Sequence, residues 1–232
     1  MTSFHSLLRH RDGHHAKVTY EELFFDLVYV FAVTQLSHEL LHDLSLTGLV
    51  HTLVLWFAVW LGWQYTAWLT NWFYPEKPGI RGLLFALMLA ALVMAAAIPE
   101  AFGTRALVFA LAYVAVQFGK TAYIVVRLGN HAMAPNYRRM LAWLSVSAVL
   151  WIAGALVAQA RLPLWIAAVL CEYVSPMIGF RFPGLGRSDP GREWTVEGGH
   201  MAERCQLFVI VALGETLLAT GAMMAEVRDW SP

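Results

Sequence analysis

Long apolar runs recur along this chain, and they leave it few folds. Seven of them, at about 22–41, 49–73, 82–98, 105–126, 140–160, 164–180 and 202–224, are separated by short polar turns. Each approaches or exceeds the length of about 18 apolar residues that marks a candidate bilayer-crossing helix. Hydrophobic residues make up 59% of the chain and charged residues only 14%, where a soluble domain carries roughly 25% charged. The expected fold class is therefore all-α: a polytopic transmembrane helix bundle of about seven spans over residues 21–226. A tail precedes it at 1–20, and a short end follows at 227–232. The lipid bilayer is the partner that this composition implies.

Charge placement orients the bundle. Lys and Arg near span ends collect on the cytoplasmic side. Arg9, Arg11, Lys17, Lys77, Arg81, Arg127, Arg138, Arg139, Arg181, Arg187, Arg192 and Arg204 fall on one side, and Arg105, Arg161 and Arg228 on the other. With Lys120 set aside as intramembrane, that is twelve against three of the 16 basic residues. The N-terminus is expected in the cytoplasm. Residues 1–19 are polar and show no cleavable signal, so the first span is expected to act as the targeting signal. The formal net charge is zero and no basic stripe interleaves with aromatics, which excludes nucleic acid as a partner. Cys171 and Cys205 read as core residues or free thiols. The tail histidines His5, His10, His14 and His15 read as a polar tail, not a metal site.

The chemistry, if any, lies in charges set within apolar runs. Glu22 and Asp26 are four residues apart and share a helix face, with Tyr29 near it. They either favour a helix N-terminus in the headgroup region or point inward as part of a polar site. Gln117 and Lys120 interrupt span four; Lys120 either snorkels or pairs with a carboxylate inside. Glu172 interrupts span six one turn before Pro176, which is expected to kink the helix. Span seven opens with His200, Glu203 and Arg204 and carries Glu215 near its middle. Arg204 and Glu215 are offset by about 20° around the helix and about 16 Å along it. Ala212, Thr216 and Thr220 form a stripe of small residues beside Glu215, suited to close contact with another helix. Five tryptophans of span two, from Trp56 to Trp72, read as interfacial and packing residues.

Three readings are open. Intramembrane carboxylates mark ion and proton paths, which makes Glu215, Glu172 and Asp26 protonatable steps with His200 near the mouth. A small ion or solute is the partner in that case. Alternatively, His200 and Glu203, three apart, form with Glu22 and Asp26 a metal or headgroup site, or a membrane enzyme's site, at the cytoplasmic face. The glycine-rich loop with Arg187 and Arg192 is then a phosphate holder. Thirdly, Arg204 bridges carboxylates and locks helices in an assembly or scaffold protein. No cofactor is indicated: the P-loop, GxSxG and HExxH patterns are absent, and span seven lacks a Schiff-base lysine. Substrate and oligomeric state stay open.

Two stretches carry a family resemblance. EELFFDLVYVFAVTQLSHELL (Glu21 to Leu41) and PGLGRSDPGREWTVEGGHMAERCQLFVIVALGETLLATG (Pro183 to Gly221) resemble the bacterial low temperature requirement A (LtrA) family. YTAWLTNWFYPE and AFGTRALVFALAYVAVQFGKTAY are weaker matches. The resemblance implies a polytopic protein of the bacterial inner membrane, and motif positions at Glu22, Asp26, His200, Glu203, Arg204 and Glu215. It also implies members longer than this chain, with further spans beyond this point. The family's name refers to growth at low temperature, not to a reaction.

Overall fold

A computed structural model of the chain describes residues 7–9, 16–189, 193 and 195–226. His5, His10, Arg11, His14, His15, Arg192, Arg228 and the 227–232 end lie outside the described residues. Seven long helices account for most of the rest: α1 (Tyr20–His42), α2 (Leu46–Trp72), α3 (Pro78–Ala97), α4 (Ala106–Leu128), α5 (Ala134–Leu156), α6 (Arg161–Met177) and α7 (Gly198–Glu226). Five of them, α2, α3 with its 3₁₀ extension to Glu100, α4, α5 and α7, are long and apolar enough to cross a membrane. α1 carries Glu21, Glu22, Asp26 and Glu39, and α6 is only 17 residues long.

Local chemistry sets the helix ends. A capping box starts α1: the Thr19 hydroxyl accepts from the Glu22 amide, and the Glu22 carboxylate accepts from the Thr19 amide at 2.9 Å. Ser45 caps α2 by accepting from the Gly48 amide. Asp43, just outside the helices, accepts from the Ser45 amide, and the donors of Ser45 hold its carboxyl below the usual carboxylate range. Pro78 and Pro135 sit in the first turns of α3 and α5, where no backbone donor is needed. α5 and α6 both start earlier than their apolar runs suggest, at Ala134 and Arg161.

Two irregularities shape the surroundings of the buried polar groups. Residues Ala115–Gly119 of α4 form a π turn, a wide turn that locally shifts the side-chain register. Pro176 ends α6 where a kink was expected: the helix stops at Met177, and Gly179 and Phe180 turn the chain with positive φ. The proline cannot donate to the Glu172 carbonyl one turn back. That carbonyl accepts instead from the Ser175 hydroxyl at 3.1 Å and the Tyr65 hydroxyl at 3.4 Å.

Successive helices alternate in direction. One end gathers the start of α1, the end of α2 and the start of α7, with Arg81 of α3 paired to Glu21 of α1 at 2.8 Å. At the other end Arg161 donates to the Phe102 carbonyl, and the rings of Phe102 and His51 stack at 3.7 Å. α5 and α6 form a tight hairpin. Gly154 makes it possible, because a Cβ there would fall 2.5 Å from the Trp165 ring. Trp165, Trp151, Phe109 and Tyr113 then fill the interior as one aromatic cluster. α7 packs on α1 and α2, and its buried residues, His200, Arg204 and Phe208, all lie in its first half. Further on, Leu213, Leu217 and Leu218 are 59%, 74% and 71% exposed. The small-residue stripe at Ala212, Thr216 and Thr220 lies on this outer half; Thr216 and Thr220 are exposed and donate only to their own helix backbone. Cys171 and Cys205 are free thiols.

Candidate functional site: two buried charge networks

The first network lies where α1, α2 and α7 meet. Glu22 and Asp26 are fully buried, one turn apart on the inner face of α1. Arg204 of α7, also fully buried, spans them: Nη1 reaches Glu22 Oε1 at 3.0 Å and Nη2 reaches Asp26 Oδ1 at 2.5 Å. Trp63 of α2 donates to the same Asp26 oxygen at 2.6 Å, and the Thr70 hydroxyl accepts from Arg204 at 3.2 Å. Arg9, from the N-terminal segment, donates to Glu22 Oε2 at 3.0 Å and to the Thr70 carbonyl at 2.8 Å. Two guanidinium groups thus face two carboxylates.

His200 meets the network through both ring nitrogens. The Asn71 carbonyl oxygen accepts from the Glu197 amide at 2.9 Å, and its NH₂ group faces His200 Nδ1, 3.1 Å away. Nε2 lies 3.0 Å from Glu22 Oε1 and 3.3 Å from Arg9 Nη2. Glu203 accepts from the Val18 amide at 3.1 Å. Among the described residues no three His, Cys, Asp or Glu side chains gather as metal ligands. Arg187 is exposed, with its side chain over Gly179.

The second network lies deeper, among α2, α4, α5 and α6. Glu172 is 2% exposed. Its Oε2 accepts from the Tyr113 hydroxyl at 2.5 Å and the Gln117 amide at 3.1 Å; its Oε1 accepts from the Ser147 hydroxyl and from Trp151 at 3.2 Å. Four neutral donors hold one carboxylate. Its counter-charge is Lys120, also 2% exposed. The ammonium donates to Gln117 Oε1 at 2.7 Å, to the Thr66 hydroxyl at 3.0 Å and to the Gly62 carbonyl at 3.4 Å. Lys120 does not snorkel. It faces inward, and the Gln117 amide bridges it to Glu172, with NH₂ on the acid and carbonyl on the base. The π turn at Ala115–Gly119 contains Gln117 and ends next to Lys120.

Glu215 belongs to neither network. It is half-buried on the outer half of α7, and among the described residues no hydrogen bond or ion pair joins it to Asp26, Arg204 or Glu172. Several residues that build the networks were not singled out from the sequence: Arg9, Thr70 and Asn71 in the first, Thr66, Tyr113, Ser147 and Trp151 in the second. Spacing held a signal for some of them. Tyr113 and Gln117 are i, i+4 in an apolar helix, as are Ser147 and Trp151.

The family model for the bacterial low temperature requirement A protein matches residues 17–232, which include every helix that builds these networks. The chain belongs to the LtrA family. It is 41% identical over 217 residues to an uncharacterized protein of Rhizobium meliloti (strain 1021), covering 92% of this chain and 53% of that relative. The chain therefore spans about half the length of that relative. No solved structure matches it. Family and apolar helices together make this a multi-pass membrane protein.

Proposed function

We propose that this LtrA-family protein moves an ion, a proton included, or a small solute across the bacterial inner membrane, with Glu172 and Lys120 as the groups that change state. In this reading all seven helices are spans and the N-terminus is cytoplasmic. Alternating helix directions put the loops richest in Lys and Arg at one end, in keeping with that orientation.

One observation carries the reading: a carboxylate buried in the bundle is held by neutral donors alone, with its counter-charge one amide away. Ionisable groups at such depth are costly and mark pathways by default. Glu172 can gain a proton without breaking a direct ion pair, because all four of its donors are uncharged. Purified full-length chain in proteoliposomes, assayed for ion and proton flux, tests this. Glu172→Gln is expected to abolish flux, and unchanged flux removes the role.

A second reading, a membrane assembly protein, draws on the exposed outer half of α7. It expects Glu172→Gln to be silent. The metal, headgroup or enzyme reading at the first network is weaker, because Glu22 and His200 are engaged with each other and Glu22 also with two arginines.

A further inference from the structure

The seat of α7 continues past the part of α7 that fills it. Phe208 is the last residue of α7 that is buried among those described, and its ring meets Trp60 and Trp63 of α2 at 6.2 and 5.0 Å. Further from Arg204, a groove of about 220 Å³ opens between α1 and α2, and its lining comes from those two helices. Helix periodicity places it on the faces already in use. Val33 and Ser37 follow Glu22 and Asp26 by eleven residues, and Leu49 and Thr52 precede Trp60 and Trp63 by eleven, so each pair is offset by only about 20°. The lining runs from Val33 to Leu40 on α1 and from Leu49 to Trp56 on α2, about 10 Å along each helix. Spread over that length, the volume gives a section roughly 5 Å across, the width of a hydrocarbon chain; an α-helix is about 10–12 Å wide.

No charged side chain lines the groove. Two hydroxyls do. Ser37 donates to the Val33 carbonyl of its own helix at 3.1 Å. Thr52 is 8% exposed, and its hydroxyl has no hydrogen-bond partner among the described residues. A buried hydroxyl without a partner is costly. A threonine in a helix has two χ1 wells open to it, so one rotation carries this oxygen to the groove wall. Depth says what it can meet there. α2 has 27 residues, which makes it about 40 Å long against about 30 Å of hydrocarbon. Centred in the bilayer, it projects about 5 Å beyond the hydrocarbon at each end. Thr52 lies six residues after Leu46, about 9 Å along the axis and so about 4 Å below the hydrocarbon boundary. That is the level at which acyl chains join their ester groups.

We propose that this groove seats one acyl chain of a membrane phospholipid, in the leaflet away from Arg204, with the chain's ester carbonyl accepting from Thr52. The walls select the occupant. A narrow uncharged channel parallel to the helices takes a chain and rejects a metal ion or a charged headgroup, because neither finds a partner there. A single unpartnered donor at ester depth takes an acceptor oxygen. The chain completes the seat that Phe208 leaves open. This site stands apart from both charge networks and from the transport reading.

The test counts the phosphatidylcholine that the purified full-length chain retains after reconstitution in that lipid, by native mass spectrometry from a mild detergent, with melting measured in parallel. The parent is expected to keep one phospholipid per chain. Ser37→Phe fills the groove from α1 and is expected to lower retention at least tenfold, since about two displaced methylenes already account for that factor. Its melting is expected at or above the parent's, because the Ser37 hydroxyl bonds only within its own helix. Thr52→Val is expected to lower retention about fivefold, the scale of one hydrogen bond, with no fall in melting. Unchanged retention in Ser37→Phe overturns the seat, and unchanged retention in Thr52→Val overturns the ester contact. Should Ser37→Phe not fold, fluorescence decides. Trp56 lines the groove, and the emission that Trp56→Phe removes is its own share. Phosphatidylcholine brominated near the ester end of one acyl chain is expected to quench that share at a low brominated fraction and then level off. Quenching in simple proportion to the brominated fraction means ordinary bilayer contact and overturns the seat. A dimer of chains without bound lipid overturns it as well.

Discussion

The two networks solve one problem in different ways. Glu22 and Asp26 are matched by full charges: Arg204 touches both and Arg9 touches the first. Glu172 is matched by a phenol, an amide, a serine hydroxyl and an indole, and its cation is held at one remove by Gln117. Adding a proton to Glu22 gives up direct contacts with two guanidinium groups. Adding one to Glu172 gives up none. The first network therefore reads as a clamp that fixes the N-terminal segment, α1, α2 and α7, and the second as the place where charge can change at small structural cost. Buried charge is not by itself a sign of function; what holds it decides what it can do.

The largest effect is expected at the clamp. Arg204→Ala leaves two buried carboxylates facing each other, with Arg9 as the one remaining arginine on Glu22 and none on Asp26. Removing one partner of a buried ion pair costs about 3–5 kcal/mol. We expect loss of folded protein, or a large fall in melting temperature in detergent. Arg204→Lys is expected to recover only part of it, because an ammonium cannot span Glu22 and Asp26 as the guanidinium fork does. A mild phenotype for Arg204→Ala would break the distinction between clamp and working region.

At the second network the single change Lys120→Met is expected to cost about 2–3 kcal/mol, because Gln117, Thr66 and Glu172 lose the charge they are arranged around. Combining it with Glu172→Gln leaves a neutral network. The double variant is expected to be more stable than the sum of the two singles by about 0.5–3 kcal/mol. That surplus measures coupling through Gln117. Additive losses would mean that Lys120 and Glu172 are independent and that the amide bridge carries nothing.

Different parts of the molecule were legible to different degrees in the sequence. Helix number follows from run length. Helix ends do not, because Thr19, Ser45, Pro78 and Pro135 act through single bonds or a missing donor, which an apolar average cannot register. Glu22, Asp26, His200 and Arg204 stood out as charges beside or within apolar runs at one expected depth. Only coordinates bring them to one point, since sequence order does not say that α1 and α7 touch. The donors to Glu172 were hidden for another reason. Tyr113, Ser147 and Trp151 are ordinary residues of apolar helices, and they acquire a polar role from three-helix geometry and from a π turn with no clear sequence mark.

The smallest effect is expected at Glu215, the carboxylate most conspicuous in the sequence. Eleven residues beyond Arg204, it was expected to share that residue's inward face at a second depth. The first half of α7 holds its buried residues, His200, Arg204 and Phe208, whereas around Glu215 the leucines at 213, 217 and 218 are largely exposed. Glu215 is half-buried there, and among the described residues no ion pair joins it to either network. Glu215→Gln is therefore expected to change stability by less than about 0.5 kcal/mol, as for a change away from packed or paired sites. Flux should remain at the parent's level. Melting in detergent and the proteoliposome assay check both halves of this expectation. If Glu215→Gln abolished flux while Glu172→Gln spared it, the contrast between clamp and working region would invert. The working charge would then sit on the outer half of α7, and both inner networks would be scaffolding that holds that helix in place.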